Sequence, residues 1–194
     1  MNNNYKKIAS ALMLSTVLLA SSGCKKTFPP LPDEIEGASL ADYNKGCNDL
    51  DSPYYDANAD GHGDCKYAYV TEYEITYSPA EDGNSDWDFG FGSNTNADLL
   101  LNITVLSSAI KVLQGAEKED QDSNTPAFWN EAREIRLENK IYKWNLDDYD
   151  ATTPNDPMSS GTFNPVEEIK NGQNNGTITT IAGGSQLVIH YIIK

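Results

Sequence analysis

The fold is decided by residues 142–163, which read YKWNLDDYDATTPNDPMSSGTF. Tyr142, Trp144 and Leu146 alternate with polar residues, and alternate positions of a β-strand share one face of the sheet. A polar loop that contains proline follows, and small and apolar residues resume up to Phe163. The stretch therefore predicts two strands joined by a polar loop, with one face of the first strand directed to a hydrophobic core.

The same signals recur on both sides of this stretch, separated by Gly, Asn, Asp and Pro. In the first strand, alternation predicts that Tyr69, Thr71, Tyr73, Ile75 and Tyr77 share one face. Helical periodicity is confined to one turn near Val166–Lys170. We predict an all-β domain over residues 67–194, an antiparallel sandwich of eight strands. The strands are expected at about 67–77, 98–105, 109–115, 131–137, 140–147, 159–164, 177–182 and 185–193.

The amino terminus has the layout of an export signal. Two lysines precede an apolar stretch of residues 8–20, and Ser21, Ser22 and Gly23 lead into Cys24. The apolar stretch is too short for a stable membrane span. Small residues before a cysteine resemble the lipobox of bacterial lipoproteins, although an ordinary secretory signal peptide is the alternative interpretation.

The resemblance to bacterial lipoproteins implies a signal peptide over residues 1–23 and a diacylglycerol attached to Cys24. Residues 24–45, which contain three prolines, would then be a tether to the folded domain. We expect the protein in the bacterial cell envelope, held by its lipid anchor, most simply on the outer membrane. Two or three acyl chains anchor a protein far more firmly than one.

The chain is strongly acidic, with 29 Asp and Glu against 14 Lys and Arg and a net charge of −15. Cleavage before Cys24 removes Lys6 and Lys7 and no acidic residue, which makes the net charge −17. Such a surface repels nucleic acid and anionic lipid at long range, and we expect no nucleic-acid partner. It suits a protein that gathers divalent cations.

Cys47 and Cys65 are the two cysteines that remain after Cys24. Exported proteins fold in oxidising compartments, so we expect a disulfide between them, closing an acidic loop over residues 46–66. A zinc site is disfavoured because suitable His or Cys partners are lacking nearby.

This loop contains DANADGHGD, residues 56–64. Its oxygen-bearing side chains at positions 1, 3, 5 and 9, with glycine at position 6, follow the calcium loop of EF-hands. Tyr67 stands where an EF-hand has its bidentate glutamate, and the neighbouring cysteines make the segment resemble a thrombospondin type 3 repeat. The predicted calcium ligands are Asp56, Asn58, Asp60 and Asp64. A plain loop of Asx turns is the alternative.

A second group of carboxylates follows the fifth predicted strand. Asp148 and Asp150 are two residues apart, so they point to the same side, and Asp156 follows after a loop that can fold back. Like charges a few ångströms apart repel by about 1–4 kcal/mol per pair at intermediate dielectric. A hard cation such as Ca²⁺, which takes 6–8 oxygen ligands, is what such a group needs.

These residues resemble the C2 domain, a sandwich that binds calcium and lipid. The pattern Asp-x-Asp, five residues, Asp is met at residues 148–156, and NTPAFWNEAREIRL at 124–137 is similar to the Asn-Pro-x-Trp-Asn-Glu signature of the family. WDFGFG at 87–92, followed by Asp98, is similar to its first calcium loop.

The resemblance to C2 domains implies one or two Ca²⁺ ions held by Asp88, Asp98, Asp148, Asp150 and Asp156, with the backbone carbonyl of Tyr149 as a further ligand. Asp86 is the alternative to Asp98, because ten residues separate Asp88 from Asp98 where the family has six. Phe89 and Phe91 would be loop tips that contact a membrane.

The sequence therefore predicts a membrane-anchored, calcium-binding module that interacts with a protein, glycan or phospholipid partner. The alternative is a structural envelope lipoprotein, stiffened by calcium or binding no metal. We expect no enzyme, since the two histidines, His62 and His190, have no nucleophile or metal-binding partners in the sequence pattern.

Overall fold

The computed structural model describes residues 45–61, 63, 65–88, 95–171 and 175–194, all within the unit Leu40–Lys194. They form nine β-strands and one helix. The strands are β1 (Ala68–Tyr77), β2 (Ala97–Val105), β3 (Lys111–Gln114), β4 (Lys118–Gln121), β5 (Ala127–Asn130), β6 (Tyr142–Asp148), β7 (Asp156–Phe163), β8 (Thr177–Ala182) and β9 (Ser185–Ile193); the helix is α1 (Pro165–Lys170).

The strands make two sheets. The first has the order β5-β1-β9-β8, and the second has the order β3-β2-β6-β7, with β4 pairing to β2 beyond the end of β3. Every pairing between these strands is antiparallel. The prediction of an all-β antiparallel sandwich is confirmed.

The core lies between the inner faces of the two sheets. Tyr142, Trp144 and Leu146 are buried, as their alternation predicts, and Trp144 is fully enclosed. Burying aliphatic and aromatic side chains of this size contributes roughly 1.5–3 kcal/mol each, so this layer holds the sheets together. The other members of the core include Val70, Tyr73, Ile75, Leu99, Leu101, Ile103, Leu137, Ile178, Leu187 and Ile189.

Strand β1 departs from strict alternation. A register shift between Val70 and Glu72 reverses the inward face, so Val70 is buried before it and Tyr73 after it. The prediction of one face shared from Tyr69 to Tyr77 is therefore wrong for the first part of the strand. A bulge inserts one extra residue on one strand and moves all later side chains by one position.

Two strand predictions need correction. The additional strand is β4, whose sequence KEDQ is wholly polar and gives no strand signal. The strand expected at 131–137 lies earlier, as β5, because Trp129 packs into the core opposite Tyr73 on β1. Residues 131–137 follow it with an isolated bridge between Tyr69 and Arg136.

The open side between the sheets is closed by contacts from β5 and the residues after it. The indole N–H of Trp129 donates to the carbonyl of Ala116 at 2.6 Å. Arg133 donates to the carbonyl of Val112 on edge strand β3 at 3.1 Å. Gly115 allows the indole to lie this close, since an added Cβ there would come within 2.5 Å of Trp129 Nε1.

Residues 45–66, which we call the knot, precede β1. The predicted disulfide between Cys47 and Cys65 is present. Asp51 joins the knot to the sandwich by accepting the backbone N–H of Asn139 at 2.8 Å and by pairing with Arg136 at 3.2 Å.

The helical turn predicted near Val166 is α1. Asn164 caps it by accepting the backbone N–H groups of Val166 and Glu167, and Pro165 occupies its first turn. Within the described ranges, no helix has the length and apolar content needed to cross a bilayer.

Candidate functional site

Two strand ends bring the predicted calcium ligands together at one end of the sandwich. Strand β2 begins with Ala97 and Asp98, and β6 ends at Asp148. The two strands are antiparallel neighbours in which Leu99 pairs with Asp148. Asp98 and Asp148, far apart in sequence, are therefore adjacent at one end of the second sheet. We call these two residues, together with Asp88, Asp120 and Asp150, the acidic rim.

Carboxylates of the rim hold neighbouring backbone amides. Asp148 Oδ1 accepts the N–H of Asp98 at 2.6 Å, and Asp98 Oδ1 accepts the N–H of Asp120 at 2.6 Å. The N–H of Tyr149 donates to the Asp98 carbonyl at 2.8 Å. Charge-assisted hydrogen bonds of this kind are short and strong, so they fix the positions of three chain segments relative to one another.

Asp148 has the strongest perturbation in the rim. It is 1% exposed, and burial raises its pKa to about 6, with the charges of Asp88, Asp150 and Asp98 adding to the rise. Only the hydrogen bond from the Asp98 amide acts in the opposite direction. An inward strand position that normally carries an apolar side chain here carries a carboxylate among carboxylates.

Asp88 belongs to the same group although it lies on the loop before β2. Burial raises its pKa first, followed by the charges of Asp98, Asp150 and Asp120. Its backbone N–H donates to the carbonyl of Thr95 at 3.4 Å, which brings the two ends of this loop together. The structure thus brings Asp88, Asp98, Asp148 and Asp150 to one place.

Asp156 lies at the margin of the rim. It begins β7 directly opposite Asp148 in register, but its side chain is exposed while that of Asp148 is buried. The loop between them is held by Asn155, whose side chain accepts the N–H of Asp150 at 3.4 Å. Asp86, the alternative to Asp98, is exposed, whereas Asp98 is in the rim.

Asp120 is the rim residue that sequence reasoning missed. It lies on β4 with φ of +50°, and its side chain accepts from the backbone N–H and the amide of Asn96 at 3.4 and 3.2 Å. An aspartate tolerates this left-handed backbone better than most residues. Its signal in the sequence is the acidic stretch from Glu117 to Asp122, whose composition is that of an ordinary polar loop.

The donor chemistry of the rim fits a hard cation. All the charged side chains that raise the pKa of Asp88 and Asp148 are carboxylates, the ligands that Ca²⁺ prefers. Among the described residues, however, no three His, Cys, Asp or Glu side chains already converge as a metal site. Asp98 and Asp148 each accept a backbone N–H through Oδ1. A bound cation would therefore be ligated by their Oδ2 atoms, or the carboxylates would have to rotate away from these hydrogen bonds.

The second candidate loop lies in the knot. Asp56 begins it, and its Oδ1 accepts the N–H of Asn58 at 2.9 Å, which forms an Asx turn. The N–H of Asp56 donates to the Cys47 carbonyl at 2.7 Å, so the disulfide segment fixes the start of the loop. Asp60 is exposed nearby.

Several predicted positions lie outside the described residues. They are the signal peptide, Cys24, the tether up to residue 44, His62, Asp64, Phe89 and Phe91. Their roles in lipidation, calcium binding and membrane contact stay predictions.

Comparisons with known proteins concern the fold. No protein-family profile matches the chain, and no curated protein sequence matches it. It is similar to a solved structure of a C2 domain, at 13% identity over 66% of this chain and 98% of that one, with a TM-score of 0.40. It is also similar to human GIVD cytosolic phospholipase A2 in complex with methyl gamma-linolenyl fluorophosphonate, at 14% identity over 66% of this chain and 17% of that one, TM-score 0.44.

A third similar structure is BON1-C2B, at 12% identity over 66% of this chain and 92% of that one, with a TM-score of 0.41. Such similarity bears on fold alone, and the chemistry of the acidic rim follows from its own residues.

Proposed function

We propose that the chain is a calcium-binding interaction module held on the bacterial cell envelope by a lipid at Cys24. The observation that supports calcium binding is the burial of Asp148 among the carboxylates of Asp88, Asp98 and Asp150. Without a cation, this arrangement costs folding free energy through desolvation and like-charge repulsion. A divalent cation would remove both costs.

In this proposal the first site takes oxygens from Asp88, Asp98, Asp148 and Asp150, with Asp156 and the carbonyl of Tyr149 completing the shell. The second site takes Asp56, Asn58 and Asp60 in the knot, with Asp64. Extracellular calcium modules often bind with dissociation constants of about 10⁻⁴–10⁻³ M, which suits an envelope protein.

The role we propose is binding rather than catalysis. Calcium would order the loops that end at Asp88, Asp98 and Asp150, and these loops would present a surface to a protein, glycan or phospholipid. The C2-like sequence pattern around Asp148 supports this role. The rim holds only carboxylates as its perturbed titrating groups, a set that supplies ligands for a cation.

The test is a calcium titration of the full chain, followed by thermal unfolding. At calcium tenfold above the dissociation constant, the free energy of unfolding should rise by about 1.4 kcal/mol per site. Changing Asp148 and Asp150 together to asparagine should abolish the part of this calcium-dependent rise that comes from the rim. Changing Asp56 and Asp60 to asparagine should abolish the part that comes from the knot.

Asp147→Asn is the matched control. Asp147 neighbours Asp148, but it lies on the other face of β6, where burial raises its pKa and Lys143 lowers it. This variant should keep the full calcium response. A rim variant that responds to calcium as the wild type does would remove the rim from the proposal.

Vesicle pelleting decides whether phospholipid is the partner. The Cys24→Ser full chain should sediment with phosphatidylserine vesicles only with calcium if the rim binds phospholipid. Sedimentation that is independent of calcium, or absent, leaves a protein or glycan. If calcium raises stability but no partner is recruited by it, the structural lipoprotein is the better description.

A further inference from the structure

Three exposed apolar residues lie at the end of the sandwich opposite the acidic rim. Leu106 follows β2, Ile110 precedes β3 and Ile141 precedes β6; they are 49%, 64% and 52% exposed. The N–H of Leu106 donates to the Ile141 carbonyl at 2.9 Å, and the N–H of Val105 donates to the Ile110 carbonyl at 2.9 Å. The three residues therefore lie at neighbouring ends of adjacent strands; we call them the apolar tip.

Two lysines border the tip. Lys111 and Lys143 both pair with Thr104, one from each side of β2. Residues directly opposite each other share a face of the sheet, so Lys111, Thr104 and Lys143 form a row across three strands. Thr104 is two residues before Leu106, which places this row directly behind the apolar tip.

Asp51 and Glu138, two of the acidic residues at this end, are matched by cations. Arg136 pairs with Asp51 at 3.2 Å and with Glu138 at 3.6 Å, and Lys140 also pairs with Glu138. The acidic rim, where carboxylates face carboxylates, is at the other end of β2. Nine strand residues span about 30 Å, so the acidic rim is distant from the two lysines beside the tip.

The chain enters the domain at the end that carries the tip. The knot is attached there, because Asp51 holds the backbone of Asn139, two residues before Ile141. Twenty residues separate Cys24 from Lys45, the first described residue of the knot. A tether of that length would span no more than about 75 Å even at full extension.

We infer that the apolar tip and its two lysines rest on the anionic phospholipid surface to which the chain is anchored, with the acidic rim facing away from the membrane. This inference depends on the proposed lipid at Cys24. Apolar side chains enter the interface while lysines meet anionic headgroups, and a tethered surface needs only a weak contact because its effective concentration is high.

This orientation is the reverse of one in which Phe89 and Phe91, in the loop before β2, would contact the membrane. The two orientations point the rim in opposite directions. With the tip on the membrane, the rim would face away from the phospholipid, which leaves a soluble protein or glycan as its partner in the proposed function.

The test uses the lipidated mature chain, residues 24–194, in vesicles of phosphatidylethanolamine and phosphatidylglycerol. Tryptophan is placed in the tip by Ile110→Trp, and the matched control is Ile181→Trp. Ile181 is also 64% exposed, but it lies near the turn at Gly183, which Ser159 contacts at the rim end of β7. Brominated lipids then quench any indole that reaches the interface.

The added tryptophan is measured as the fluorescence of the variant minus that of wild type. In brominated vesicles this difference should fall by about twofold or more for Ile110→Trp and should stay unchanged for Ile181→Trp. Adding Lys111→Gln and Lys143→Gln should weaken the quenching in anionic vesicles but not in vesicles of phosphatidylcholine alone. Quenching of Ile181→Trp but not of Ile110→Trp would reverse the orientation. If neither variant loses emission in brominated vesicles, the contact is overturned.

Flotation separates this inference from the anchor. Wild-type chain should float with the vesicles, and Cys24→Ser chain should float poorly. A chain that floats without quenching at residue 110 contradicts only the tip contact. If wild type does not float, both the anchor and the tip contact fail, while the calcium titration is unaffected.

Discussion

Asp148 and Asp98 are joined by a hydrogen bond of 2.6 Å from the Asp98 backbone N–H to the Asp148 carboxylate. The bond lies at an inward position of β6, where Asp148 is 1% exposed. A single side chain thus both fixes the start of β2 and contributes the most perturbed charge of the acidic rim.

We predict different outcomes for two substitutions of Asp148 in the absence of calcium. Asp148→Asn keeps an oxygen that can accept the Asp98 N–H and removes the buried charge, so stability should be equal or higher at neutral pH. Asp148→Ala leaves that N–H without its acceptor and should cost about 1–3 kcal/mol. Urea unfolding in a chelator measures both. Equal losses in the two variants would contradict the role of the hydrogen bond.

Stability without calcium should fall as pH rises from 4.5 to 6.5. Because the pKa of Asp148 is raised to about 6 in the folded protein, the folded state binds more protons in this window than the unfolded state. The free energy of unfolding therefore declines with pH, by about 1–3 kcal/mol in all. Burial also raises the pKa of Asp88, which acts in the same direction.

Urea midpoints across this pH range test the prediction, with Asp148→Asn as the control that should flatten the slope. The range begins at 4.5 because Arg133 lowers the pKa of Glu131 and Lys140 lowers that of Glu138. The stabilisation of the fold by these two ion pairs is lost when the carboxylates are protonated at lower pH. Calcium, which binds the ionised form, should stabilise the chain more at pH 6.5 than at 4.5. A slope unchanged by Asp148→Asn would refute the assignment.

Loss of the disulfide should open the knot and leave the sandwich folded. Cys47 and Cys65 are 18 residues apart, and closing a loop of that size is worth about 3 kcal/mol by chain entropy. In the double serine variant, trypsin should cut at Lys66 much faster than in wild type, whereas cleavage at Lys143 within β6 should stay slow. Fast cleavage at both sites would show that the sandwich also needs the bridge.

Gly115→Ala should destabilise the sandwich by about 1–3 kcal/mol, because its Cβ would overlap the indole of Trp129 at 2.5 Å and the core resists overpacking. Gly83→Ala is the comparison. Gly83 has φ of +68° and open space around it, so alanine there should cost only the backbone term of about 1–2 kcal/mol. Near-ultraviolet circular dichroism should report a changed Trp129 environment for Gly115→Ala alone.

Much of the fold follows from local pattern. Alternation at Tyr142, Trp144 and Leu146 predicts β6 because each inward position is apolar and each outward one is polar. It fails in β1, where one extra residue near Thr71 reverses the faces, and alternation contains no signal for a bulge. It fails for β4 because that strand is specified by its pairing with β2 rather than by its own residues.

The candidate site, like the fold, could be predicted only in part. Spacing two apart predicts that Asp148 and Asp150 lie together, and the resemblance to C2 domains adds Asp88 and Asp98, whose positions beside them depend on the topology of the sheet. Asp120 could not be predicted, because its place depends on a left-handed residue in a polar strand and on an amide bonded to Asp98.

The contact from Arg133 to the Val112 carbonyl has a consequence for crowded surfaces. An edge strand with open carbonyls is a template on which another copy can add a strand. If the chain is held on a bilayer, as proposed, its copies would meet there at high lateral density. With the guanidinium bonded to that carbonyl, the short strand β3 offers one acceptor fewer to an incoming chain. The contact would thus disfavour edge-to-edge strand pairing between neighbouring molecules, and with it the growth of fibres.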